Sequence, residues 1–431
     1  MKNKPGDTVW IDRGILFCLS VLIFILPMSH TTSIQAFAFY IPFALLICRF
    51  LLNRDFRWIK TNFELPFIAF FLAAATSVAT SHLPRTSLAE IWKNLLVPIL
   101  FFYVTYYSVR KESDGLLLVK VFLLANFIFS IYSFYQFKMH DGTWLIPTYR
   151  AEGVKGACEA NGLYNVMITP FIFWGLFYFK KYRLKSMLII LLIINLLALH
   201  ITFTRATYLA LGMQMLLAAV LLISRKRWLS GLIIFILLIS AGSLYVEEKI
   251  FREMHIDELP SLQEYFTLRP EKIVGSSPTS ASERLAMWKA ALDVIAREPF
   301  YPHGYGRFNF GQEVLNEKNR KFIYPHVHNT FISTAFELGV QGLVIFLWMI
   351  GTFIVVAWKY WRKSTIGELS HFLSAALLAM MAAYWVDNFF QSIDADDIKR
   401  LFMMMLGIGM AVLHRLPKEE ENSQTTGKTQ Q

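Results

Sequence analysis

Charged side chains are scarce in this chain. Asp, Glu, Lys and Arg make up 17% of its 431 residues, against roughly a quarter in a soluble globular domain. Cysteine is scarcer still. Cys18, Cys48 and Cys158 have no metal-ligand spacing, and the first two fall inside apolar runs where a thiol packs like a small hydrocarbon. A disulfide framework is therefore not expected. The sequence has no G-x-x-x-x-G-K-[ST] or G-x-G-x-x-G phosphate loop, no H-E-x-x-H zinc helix and no G-x-S-x-G nucleophile elbow. It also lacks an internal repeat, and no small-residue cleavage site follows the first apolar run. That run reads as a first span, not as a removed signal peptide.

What the chain has in abundance is apolar surface, 55% of all residues. It is gathered into blocks close to the roughly 20 residues that a helix needs to cross a bilayer. Lipid offers no partner for free backbone groups, so such blocks must be helices or strands of a closed barrel. Barrel strands alternate in polarity and these blocks do not. The expected fold is an all-α integral membrane protein of about twelve spans, near 14–28, 34–52, 64–81, 95–109, 115–137, 162–179, 186–204, 206–224, 228–246, 340–361, 371–390 and 400–416.

The net charge of +11 could suggest a nucleic-acid partner, but its distribution argues against one. Lysines and arginines cluster in alternate loops: Arg54, Arg57 and Lys60; Arg110 and Lys111; Lys180, Lys181, Arg183 and Lys185; Arg225, Lys226 and Arg227; Lys359, Arg362 and Lys363. Positive loops stay in the cytoplasm, so both ends are expected there, with the intervening loops facing outward. The chain then divides into 1–246 with nine spans, a long outward segment 247–339, three more spans in 340–416, and a disordered cytoplasmic tail 417–431. The long segment is polar with nearly balanced charge, which suits a helical cap on the outer face. Outward segment 82–94 has an apolar stripe of Leu83, Leu88, Ile91 and Trp92 that could lie in the membrane interface.

Candidate chemistry gathers in the outward segments. Ser280 and Glu283 have capping-box spacing, Leu285, Trp288, Leu292 and Ile295 follow at helical intervals, and Pro299 marks the stop. Arg284 is thereby placed near a helix N-terminus, where N–H groups already favour an anion and a guanidinium adds a planar fork of donors matched to phosphate oxygens. A surface arginine on a loop helix would look the same by position alone. A second helix is expected from the N-cap Asn329 to Leu338, with Gly339 at the C′ position. His328 precedes it. The helix dipole disfavours imidazolium there, and a neutral imidazole can act as a general base. His326 could serve instead, as could the acidic Glu337, or the two histidines could hold a metal, although His-x-His alone signals metal weakly. Arg205 interrupts two apolar blocks at an outward turn. A lone arginine at the membrane edge is a functional candidate and also a common snorkelling residue. Arg150 and Asp387 are weaker candidates of the same kind.

These stretches resemble the O-antigen ligase and polymerase superfamily of bacterial envelope enzymes. The resemblance rests on Thr204-Arg205-Ala206-Thr207-Tyr208-Leu209; on Arg284-Leu285-Ala286-Met287-Trp288 with Pro299, Gly304 and Gly306; and on His328-Asn329 with Gly339 and Gly342 before the next span. It implies a metal- and cofactor-independent inverting glycosyltransferase in the bacterial inner membrane. The donor would be a glycan on undecaprenyl pyrophosphate, and the acceptor lipid A–core or the growing glycan, at a site facing the periplasm. By the same resemblance Arg205 and Arg284 would hold the pyrophosphate and His328 would activate the acceptor hydroxyl. A transporter or flippase is the alternative from another class, kept open by the ionisable His200 and Lys120 in apolar blocks.

Overall fold

The computed structural model describes residues 9–53, 61–144, 148–223, 280–318, 326–390 and 396–428, with isolated Trp228 and Gly231. Every regular element among them is helical. In chain order they are α1 (Val9–Ile25), α2 (Thr32–Asn53), α3 (Glu64–Ser77), α4 (Pro84–Ser108, including a π-helical stretch at Ile91–Leu96), α5 (Glu112–Met139), α6 (Cys158–Tyr178), α7 (Tyr182–His200), α8 (Arg205–Ile223), α9 (Ser280–Arg297), α10 (Phe308–Lys318), α11 (Thr330–Lys363), α12 (Leu369–Phe390) and α13 (Asp396–Lys428). Seven of the helices are long and apolar enough to cross a membrane: α2, α4, α5, α7, α8, α11 and α12. The expected span 228–246 and most of the start of the long segment lie outside the described residues.

Helix α12 is apolar on all sides and the most enclosed of these seven, as expected for a helix surrounded by others. It packs against α6, α8 and α11, while α13 packs against α4 and α11 against α3. Close approach relies on small residues. A β-carbon at Gly407 of α13 would meet the Phe102 carbonyl oxygen of α4 at 2.5 Å. Across α5, α6 and α7, buried Asn126 donates to Asn165 (2.9 Å) and to Asn195 (2.8 Å). Such interhelical amide bonds are suited to an apolar surrounding.

In the described part of the long segment, α9 stands where punctuation placed the first helix, and α10 is an additional one before α11. Helix α9 runs from Ser280 and ends two residues before Pro299; the side chains of the expected Ser280–Glu283 box lie outside the described residues. Met287, Ala290, Ala291 and Val294 of α9 share a small core with Phe310 and Val314 of α10 and with Val327 and Phe336. This unit is tied to the α3–α4 turn: Tyr305 N–H donates to Ser77 Oγ (2.9 Å), Ser81 Oγ to Asn309 Oδ1 (2.9 Å) and Asn309 Nδ2 to Ser87 Oγ (3.0 Å). Gly339 breaks α11 with φ +73°, so the helix that Asn329 opens ends where the C′ glycine was expected and a new one begins at once.

Two boundaries differ from the sequence expectation. The stretch 82–94 does not stand apart from the fourth span. Pro84 begins a helix that continues to Ser108, because the π-helical stretch absorbs one extra residue without breaking the chain direction. Ile91 is buried in it, while Leu88 and Trp92 are exposed. At the other end, the helical backbone of α13 persists to Lys428, beyond the point where a disordered tail was expected. Its Lys-Glu-Glu-Glu run is made of good helix formers, which a reading by charge alone undervalues.

Candidate active site

The turn between α7 and α8 is the first component. Phe203 adopts φ +46°, a costly conformation for an aromatic residue and one that tends to mark functional sites. It delivers Arg205 to the first position of α8, where the side chain is exposed. Arg150 locks this turn from outside: its Nε donates to Thr202 O (3.0 Å), and its Nη2 to Thr204 Oγ1 (3.1 Å) and to Glu159 Oε1 (3.2 Å). Ala151 N–H reinforces the tie by donating to Ile201 O (2.9 Å). Arg150 is therefore partly engaged in holding the loop that presents Arg205.

Arg284, just past the first turn of α9, is the second component. Its Nη1 donates to the Phe390 carbonyl at the end of α12 (2.8 Å), a helix C-terminus that favours a cation. Two carboxylates are within its electrostatic reach: Glu159 in the first turn of α6, outside the apolar run, and buried Asp387 of α12, which also lies beside Thr207 of α8. Burial raises the Glu159 carboxyl. The Cys158 thiol, its own backbone N–H, Arg150 and Arg284 outweigh that and hold it below the ordinary range. Arg150 is thus paired with Glu159, and Arg284 lies near Glu159 and Asp387 where the ends of α6, α9 and α12 meet, while Arg205 opens α8 two residues before Thr207, the neighbour of Asp387.

The third component opens α11. Asn329 Oδ1 accepts from the N–H groups of Phe331 (2.9 Å) and Ile332 (3.0 Å), which is the N-cap geometry the sequence predicts. His328, immediately before it, sits at φ +54°, a second strained non-glycine residue at this site. His326 is 5% exposed and its ring centroid is 4.0 Å from that of His328. Trp288 Nε1 donates to Val327 O, between the two histidines (3.0 Å). Trp288 is one helical turn beyond Arg284, so α9 places the guanidinium and the His328 loop at the same junction.

Glu337 stands apart from this group. Its carboxylate accepts the Gly306 N–H (2.8 Å), and the charged groups near it are Glu90 and Lys399, not the arginines. His200, one of two residues that kept a transporter in view, is at the end of α7, hydrogen-bonded to Tyr208 Oη (3.0 Å) and the Trp144 carbonyl (2.8 Å). Lys120 is exposed on α5. Among the described residues no group of three His, Cys, Asp or Glu side chains could hold a metal ion. Sequence reading missed Glu159. Its only signal is a lone acid at the head of an apolar run, and its importance appears only through partners far along the chain.

The arrangement sets guanidinium groups and an imidazole loop near the ends of apolar helices. Residues 190–347 match the family model described as O-Antigen ligase, a stretch that contains Arg205, Arg284 and His328. Proteins provisionally named polysaccharide ligases are 24% identical in Rickettsia felis, 24% in Rickettsia typhi and 23% in Rickettsia prowazekii. Each alignment covers 34% of this chain and 34% of the relative. The similarity to the O-antigen ligase family model is confined to residues 190–347, and the aligned stretch spans about a third of the length of the relatives it matches.

Proposed function

We propose that this protein is an O-antigen ligase: a glycosyltransferase that moves a glycan from undecaprenyl pyrophosphate to a sugar hydroxyl of lipid A–core at the periplasmic face of the inner membrane. The observation that carries this reading is the meeting of the helix ends and loops that bear Arg150, Arg205, Arg284 and His328 at one end of a bundle of apolar helices. A lipid-borne pyrophosphate must be met at the membrane edge, and fixed guanidiniums there can stabilise charge that develops on it.

In the proposed reaction the acceptor hydroxyl attacks the anomeric carbon as His328 takes the hydroxyl proton. The bond from that carbon to the phosphate oxygen breaks, and undecaprenyl pyrophosphate leaves with the bonding electrons, held by Arg205 and Arg284. Attack opposite the leaving group inverts the anomeric centre. No metal or cofactor is needed for the charge balance. A polymerase using the same donor, but with the growing glycan as acceptor, would share all of this machinery.

Purified protein incubated with lipid-linked glycan and lipid A–core, separately and together, separates these readings. A ligase gives product only with both. Longer glycan from the donor alone indicates the polymerase, and no glycosyl transfer under any combination overturns both.

A further inference from the structure

A chamber lies beside Asp387, whose neighbour Asn388 lines it. It is a cavity of about 170 Å³ between α3, α4, α11, α12 and α13. None of Arg150, Arg205, Arg284, His326 or His328 lines it. Its floor is aromatic, with Phe67, Phe70, Phe346, Phe353, Trp385 and Phe402. Its polar side carries the acids Glu90 and Glu337, the bases Arg307 and Lys399, and the amides Asn94 and Asn388.

One wall of this cavity is formed by the facing ends of α11 and α12. Thr330, two residues after His328, and Asn388, one residue after Asp387, both line the cavity, and Thr330 Oγ1 donates to Asn388 Oδ1 (3.1 Å). Asp387 faces Thr207 and Arg284 on the other side. The first turn of α11 and the last turn of α12 therefore form a partition, with Arg284 on one side, the cavity on the other and His328 just before the first turn of α11.

The polar side pairs two acids with two bases and so offers hydroxyl groups both acceptors and donors. Gly306, at φ +116°, inserts its backbone between two carboxylates: its N–H donates to Glu337 Oε2, and a β-carbon there would meet Glu90 Cγ at 2.8 Å. Glu90 accepts from Asn94 Nδ2. Asn94 Oδ1 is then left buried with no hydrogen-bond partner among the described residues. Asn94 belongs to the π-helical stretch of α4, an irregularity frequent at functional sites. Two carboxylates, offset by Arg307 and Lys399, and a spare amide oxygen leave no net positive charge to draw an anionic pyrophosphate. They match the donor capacity of ring hydroxyls, and the aromatic floor suits the apolar faces of a sugar.

We propose that this cavity is the acceptor subsite, binding an uncharged, hydroxyl-bearing sugar ring through Glu90, Asn94 and Lys399 and presenting one hydroxyl across the partition to His328. The proposal rests on the ligase reading above, which assigns the arginine side to the donor.

The test uses full-length protein in lipid nanodiscs. Lipid A–core serves as acceptor probe and undecaprenyl-pyrophosphate-linked glycan as donor probe. Glu90→Gln and Asn94→Ala should each raise the KM for lipid A–core on the order of tenfold or more, the worth of one hydrogen bond to a charged or buried group. Donor binding, measured directly, should be unchanged, which also certifies the fold. Should Glu90→Gln fail to fold, Asn94→Asp carries the same test, since it keeps a side chain of the same shape and removes the Nδ2 donor to Glu90. A photoreactive benzoylphenylalanine in place of Ser333, which also lines the cavity, should capture lipid A–core and not the donor, an outcome that does not depend on turnover. Weakened donor binding, capture of the donor, or no change in either constant overturns the assignment. Absence of transfer by the wild type would instead defeat the ligase reading, and the capture experiment would still judge the cavity.

Discussion

At the scale of single residues, the site depends on what a guanidinium can do that an ammonium cannot. Arg284 already donates to the Phe390 carbonyl, and its remaining N–H groups keep a fixed plane that can face phosphate oxygens. Arg284→Lys should therefore impair transfer nearly as much as Arg284→Ala, because lysine keeps the charge but neither the fork nor the tie to α12. Full activity in the lysine variant would show that charge alone suffices. His328 should behave differently. His328→Ala should lower turnover on the order of 10² to 10⁴-fold, the usual worth of a positioned proton acceptor, and leave donor binding intact. Arg205→Ala and Arg284→Ala should weaken both. His326→Ala should do much less, since His328 and not His326 abuts the Asn329 cap. Rate and donor affinity measured side by side for the four alanine variants check this, and normal turnover in His328→Ala would move the base elsewhere.

At the scale of elements, most helices were legible because their apolar runs are long and uninterrupted, and because Asn329, Gly339 and Pro299 punctuate the sequence where the backbone turns. What escaped reading was set by partners distant in sequence. Nothing local says that the helix beginning at Pro84 runs unbroken to Ser108, since the π-helical stretch hides the register of its apolar stripe. The pairing of Arg150 with Glu159 and the framing of Gly306 by Glu90 and Glu337 likewise exist only once helices meet. The α4–α13 contact is of the same kind. A β-carbon at Gly407 would stand 2.1 Å from Thr105 Oγ1 and 2.5 Å from the Phe102 carbonyl oxygen, so a side chain there must push two backbones apart. Gly407→Val should cost about 1–3 kcal/mol, the usual penalty of overpacking, and lower the melting temperature in detergent. Gly351 of α11 meets nothing within 4 Å, so Gly351→Val is the control. Equal losses in the two variants would show that helix propensity, not the α4–α13 contact, sets the effect.

For the whole molecule, charge and site occupy opposite helix ends. Helix α7 starts among Lys180, Lys181, Arg183 and Lys185 and ends at the turn that presents Arg205. Helix α11 starts at the His328 loop and ends with Arg362 and Lys363. The 19 residues of α7 rise about 28 Å, close to the roughly 30 Å thickness of the hydrocarbon core. Basic clusters are held on the cytoplasmic side, so the site arginines and the cavity should open on the periplasmic side, where both lipid-borne substrates of the proposed reaction would be met. Single cysteines test the arrangement in a background carrying Cys18→Ser, Cys48→Ser and Cys158→Ser. Lys289→Cys, on the exposed side of α9, should react with a membrane-impermeant maleimide added outside spheroplasts. Lys181→Cys, exposed at the α6–α7 junction, should react only after the membrane is opened. The reverse pattern would put the arginines in the cytoplasm, away from any periplasmic acceptor, and the ligase reading would fall with the topology.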